Sequence, residues 1–214
     1  MQNRQNKLLK YIIEEHIRTA GPVGSSLLVD KHFNDISSAT IRNEMAEMEK
    51  QGLIVQPHIS AGRVPTEAGY KFYLENLIKS GKITEVPGFK NMSNLKDIAK
   101  RIAEISKEAV VVGFSKDDVY YTGISNVFSQ PEFHKYDLVY NFSSVIDHLD
   151  EVVSQIYNEV GNDVEVRIGS DNPFGADCGL VITKSKNKMI GIIGPMRMDY
   201  RSNINLLKYA KTLI

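Results

Sequence analysis

Arg42 and Asn43 are neighbours in a segment, residues 37–51, whose side chains have the chemistry of base recognition. A carboxamide and a guanidinium each present two hydrogen-bonding groups in one plane, matching the major-groove edges of adenine and guanine. Wound as a helix at about 100° per residue, the segment puts Ile41, Met45 and Met48 on one narrow face. The opposite face carries Ala39, Asn43, Ala46 and Lys50, flanked by Arg42 and Glu47. The alanines let a helix axis approach base edges, and Lys50 stands where a flanking phosphate would be. Ser37, Ser38 and Thr40 gather at the N-terminus, where hydroxyls and free N–H groups grip phosphate oxygens. The wheel by itself is equally that of a solvated amphipathic helix. A second group, His58, Ser60 and Arg63, shifts the balance. It lies on a short polar and basic turn suited to a minor groove or a phosphate ridge, although an ordinary surface turn has the same composition.

These groups need a scaffold, and the flanking pattern supplies one. Leu8, Leu9, Ile12, Ile13 and Ile17 predict a helix over residues 4–19, stopped by Gly21 and Pro22. A short helix fits 24–32, and a third runs from a hydroxyl cap at Ser37-Ser38 to Gln51, before Gly52. Strands at 53–56 and 63–65 enclose the turn, and a fourth helix fits 66–79. Three helices and a hairpin in this order predict a winged helix-turn-helix.

Residues 80–94 hold two glycines, a proline and little apolar periodicity, which predicts a linker. The expected organisation is a winged-helix DNA-binding domain over 1–80, a linker over 81–94 and a regulatory or dimerisation domain over 95–214. In that last part we expect a helix at 95–108, a strand at 109–114 and its hairpin partner at 119–124. Ser144 and Asp147 have the spacing of a capping box, predicting a helix to Val160 with Val145, Leu149, Val152 and Ile156 on its stripe. Strands follow at 164–168, 179–183 and 189–193, then a last helix after Asp199 with Ile204, Leu207, Ala210 and Ile214 inward. Helices on a mainly antiparallel sheet make the fold class α+β.

Charge and composition narrow the function. The 26 basic and 26 acidic residues balance, so bulk electrostatics do not argue for nucleic acid, and only a local basic face is expected. Cys178 is the single cysteine, and the five histidines never fall at i,i+4 or beside it. No catalytic residues, no metal site and no cofactor are therefore expected, and the chain is not read as an enzyme. No apolar run reaches the length of a membrane span, and the N-terminus lacks a secretory pattern, so a cytoplasmic location is expected. Arg197 and Asp199 are read as structural, Asp199 capping the last helix and Arg197 bracing a loop.

Longer motifs carry a resemblance. PVGSSLLVDKH, SSATIRNEMAEMEKQGLI and QPHISAGRVPTEAGYKFYLENL, followed by YYTGISNVFSQPEFHKYDLV, VEVRIGSDNP and IGIIGPMRMDY, resemble the heat-inducible transcription repressor family HrcA. The resemblance implies a dimeric repressor that binds an inverted-repeat, double-stranded operator upstream of chaperone operons and releases it on heat stress. It also implies a GAF-like C-terminal domain, a homodimer and the chaperonin GroEL as a partner. The chain is shorter than a usual member: its strand at 109–114 runs almost directly into YYTGISN, so the family's inserted dimerisation domain is expected to be absent. A second reading is a winged-helix regulator controlled by a small molecule in the GAF-like domain.

Overall fold

The computed structural model describes residues 2–78, 83–89 and 92–214. The chain divides into two compact units, Met1–Lys79 and Ser80–Ile214. Residues 81, 82, 90 and 91 of the expected linker lie outside the described residues.

In the first unit, helices α1 (Gln2–Thr19), α2 (Ser25–His32) and α3 (Ser38–Lys50) precede a two-stranded antiparallel hairpin, β1 (Ile54–Val55) and β2 (Val64–Pro65), and helix α4 (Glu67–Ile78). Leu8, Leu9, Ile12 and Ile13 of α1, Leu28 of α2 and Ile41, Met45 and Met48 of α3 are all buried, as a shared apolar stripe requires. A polar hub ties α1 to α2. Glu15, only 6% exposed, accepts hydrogen bonds from Arg18, from Lys31 at 3.2 Å and from the His32 ring at 3.1 Å. The His32 ring stacks on Tyr11, with centroids 4.0 Å apart. Burial alone would raise the Glu15 pKa, but the hydrogen bonds from Arg18, His32 and Lys31 outweigh it and hold the carboxyl at about 2. A depressed carboxylate contributes stability that is complete above its unfolded pKa, near 4.5, and is lost as pH falls toward 2. Glu15→Gln is therefore expected to destabilise the first unit at pH 6, and the gap from wild type should close on acidification. Urea melts between pH 6 and pH 2.5 read this directly, and a gap independent of pH would refute it.

The second unit is built on one antiparallel sheet in the order β4-β3-β7-β6-β5. Its strands are β3 (Ala109–Gly113), β4 (Val119–Thr122), β5 (Glu165–Ile168), β6 (Cys178–Ser185) and β7 (Lys188–Pro195). α5 (Leu95–Ser106) and α9 (Tyr200–Lys211) pack against the sheet and each other. The short helices α6 (Ile124–Phe128), α7 (Tyr136–Asp147) and α8 (Leu149–Ile156) join Ala109, Val111, Leu180, Ile182 and Ile193 in a second apolar layer. Helices on both faces explain why β3 reads as an unbroken apolar run instead of an alternating one. The architecture is α+β.

The structure departs from the pattern expected of the sequence at several points. Ile124 does not extend β4, because Gly123 at φ 76° turns the chain and α6 begins. Ser144 starts no helix. It lies in the last turns of α7, a helix that begins at Tyr136 and was missed. The break falls at His148, whose Nδ1 donates to the Ser144 carbonyl at 3.0 Å while its backbone N–H turns to Val145. That ring captures the acceptor a continuing helix would need. Ile214 is half-exposed, whereas Ile204, Leu207 and Ala210 are buried. Within the stretch read as a linker, Thr84 exchanges two hydrogen bonds with the Asn205 amide on α9, and Phe89 is buried edge-on to Tyr209.

Two buried groups carry unusual acidity. Glu108, 5% exposed, has an Oε2 with no hydrogen-bond partner and fills the space a side chain on Gly194 would need. Burial pushes its carboxyl up to about 8 despite the attraction of Arg197. Burial likewise pushes the Cys178 thiol up to about 12. Asp199 caps α9 through Ser202 N–H at 3.0 Å, and Arg197 binds Glu132 and Gln130, both structural roles.

Candidate nucleic-acid interface

α3 is set by its caps. Ser37 is the N-cap, its hydroxyl accepting from Thr40 N–H at 3.1 Å, and Gly52 at φ 74° follows the helix. The Ser38 hydroxyl lies 2.9 Å from that of Ser25, joining the starts of α3 and α2. Ser38 is thus committed inside the unit, while Ser37 and Thr40 are exposed. With Ile41, Met45 and Met48 inward, Ala39, Arg42, Asn43, Glu47 and Lys50 face out. Lys50 pairs loosely with Glu47 at 3.5 Å, both well exposed, a contact that costs little to release. Ser26, Arg42, Gln56 and Ser60 line a groove between the start of α2, α3 and the hairpin.

The hairpin is clasped to α3. Glu49, in the last turn, accepts Gln56 N–H at 2.9 Å through one oxygen and Arg63 Nε at 2.9 Å through the other. The Gln56 amide donates to Ala61 at 3.0 Å across the turn. Just before β2, Val23 and Arg63 exchange backbone hydrogen bonds of 2.8 and 2.9 Å, tying the hairpin to the approach of α2. Gly62 makes that approach possible: a Cβ there would lie 2.4 Å from the Val23 carbonyl. His58 and Ser60 are exposed near the tip, whereas Arg63 sits at the base with its guanidinium on Glu49. Helical spacing brings Ser37, Thr40 and Asn43 to one exposed face, with Arg42 exposed beside them. Glu49, Gln56 and Ile59 carry no sequence signal of their role, because the clasp joins α3 to the hairpin through residues fourteen apart and forms only once the two have packed. Among the described residues, no cluster of His, Cys, Asp and Glu is placed to hold a metal ion.

The family model described as "HrcA protein C terminal domain" matches residues 74–204, more than half of the sequence. The chain belongs to the HrcA family. Its HrcA relatives include the "Heat-inducible transcription repressor HrcA" of Desulfitobacterium hafniense, 41% identical over 132 residues, covering 62% of this chain and 37% of that protein. The HrcA of Acetivibrio thermocellus is 39% identical over 120 residues, covering 56% of this chain and 34% of its own length. The chain thus spans about a third of the first curated HrcA proteins it matches. The HrcA of Thermoanaerobacter sp. aligns more fully, at 24% identity over 96% of this chain and 93% of the relative. That alignment is 321 positions long against a chain of 214 residues, so a large part of that HrcA has no counterpart here. A crystal structure described as a hypothetical protein shares the fold, with a TM-score of 0.78 at 18% identity over 100% of this chain and 96% of that one.

Proposed function

We propose that the chain is a sequence-specific transcriptional repressor of heat-shock genes, with a winged helix-turn-helix over residues 1–80 and a GAF-like domain over 95–214. The observation that carries it is the outward face of α3, where Arg42 and Asn43 stand exposed opposite a fully buried stripe and beside a clasped hairpin. The names of the HrcA relatives supply the gene class. α3 lies in the major groove, with Arg42 and Asn43 on base edges, Ser37 and Thr40 at phosphates and Lys50 on the flanking backbone. Ser38 and Arg63 position the elements, and His58 and Ser60 flank the wing tip. The repressor is a homodimer joined through its second unit, because one helix and wing read one half-site and an inverted repeat mirrors a two-fold axis. Loss of that unit's fold on heating releases both helices together, and the chaperonin GroEL restores it. No enzymatic activity is assigned. No helix among the described residues is long and apolar enough to cross a membrane.

The test follows DNA binding and unfolding of the second unit on one temperature ramp, with and without chaperonin. The DNA is a duplex selected by the full chain from a random pool and compared with chaperone-operon promoters. Release coincident with unfolding is expected, and binding that survives well past the transition would refute the heat switch. Light scattering at micromolar concentration, with and without that duplex, is expected to show a dimer. A monomer in both would remove the two-fold reading.

A further inference from the structure

Ile59 is 95% exposed at the hairpin tip, more than any other large apolar side chain among the described residues. A single exposed isoleucine is ordinary in itself. Its place is not, because the base below it is fixed from three sides. Glu49 holds the chain on both sides of the turn, at Gln56 and Arg63, Val23 pairs with Arg63, and Gly62 packs directly on the Val23 backbone. The tip also lacks charge for gripping phosphates: residues 57–62 hold neither Lys nor Arg, and Arg63 is turned to Glu49. What the tip presents is a branched hydrocarbon between His58 and Ser60, with Ser60 in the left-handed region at φ 71°. β-branching leaves Ile59 few rotamers to lose when it is immobilised.

Resting on the reading that α3 occupies the major groove, we propose that Ile59 is an apolar wedge that enters the adjacent minor groove and partly unstacks one base step. The minor groove is about 6 Å wide and walled by deoxyribose carbons, a fit for an aliphatic side chain carried on a narrow turn. A·T pairs favour the wedge because they lack the guanine amine on the groove floor, and pyrimidine–purine steps open most easily. Ile59 thus adds selectivity for flanking sequence that no side-chain hydrogen bond reads. Glu49 is the positioning residue, setting where the wedge stands relative to α3.

The probe is a duplex of about three helical turns recovered by the full chain from a random pool, with 2-aminopurine placed in turn at each step beside the helix footprint. Binding is expected to raise fluorescence at one flanking step. Ile59→Ser should abolish that rise and weaken binding roughly tenfold, the scale of burying part of an aliphatic side chain. It should make A·T and G·C flanks equivalent and leave the salt dependence unchanged, since no charge is lost. Ile59 is so exposed that the variant's thermal melt should match wild type. No fluorescence rise with wild type, or a flank preference that survives Ile59→Ser, overturns the wedge and leaves DNA recognition by α3 standing. Failure of the full chain to enrich any duplex removes both.

Discussion

Glu108→Gln is expected to stabilise the second unit at neutral pH, on the order of 3 kcal/mol at pH 7, and to have almost no effect near pH 4.5. In the unfolded chain this carboxyl ionises above about 4.5, whereas the folded protein keeps its proton until about 8. Between those values the folded state binds the extra proton, and stability falls with pH by about 1.4 kcal/mol per unit. Glutamine has nearly the same shape and nothing to ionise, so the fall disappears. Denaturant titrations of both proteins at pH 5, 6, 7 and 8 should diverge steadily, and parallel profiles would show that Glu108 is charged in the fold. The same substitution is expected to raise the temperature of DNA release by several degrees, if that release follows unfolding of this unit.

Arg42→Ala and Asn43→Ala should each remove about 1–3 kcal/mol of discrimination between operator and scrambled duplex, roughly five- to 150-fold per half-site. Lys50→Ala should instead weaken both duplexes alike and reduce the salt slope by about one unit per lost phosphate contact and half-site. The measurement is a titration of each variant against both duplexes over a range of salt. Full specificity in Asn43→Ala would mean that α3 is rotated about its axis from the orientation proposed.

The parts of the fold visible in the sequence are those whose causes are local. α3 was legible because a serine cap, a narrow apolar stripe and a closing glycine lie within sixteen residues of one another. The central strands β3, β6 and β7 were legible because runs of Val, Ile and Leu carrying a glycine have few other uses. Arg63 shows where locality ends. Its type suggested a phosphate contact, but its partner is a glutamate fourteen residues earlier, reached only once the hairpin register brings them together. The helices α7 and α8 were blurred for a similar reason. Their division at His148 depends on a ring nitrogen taking one backbone carbonyl, an event that leaves no periodic trace. Glu108 looked like the end of a helix, yet α5 stops two residues earlier and leaves the carboxyl under the sheet.

The buried, weakly acidic Cys178 has a practical consequence. It is the single cysteine, so the native chain offers maleimide reagents essentially no thiolate at neutral pH. A cysteine introduced at Ala68, exposed on α4 and away from the residues assigned to DNA, would be the one position to take a dye. Each protomer would then carry one fluorophore without any mutation of the interior. Energy transfer between two labelled copies would measure the distance between their first units, with and without DNA added, and follow it through a temperature ramp.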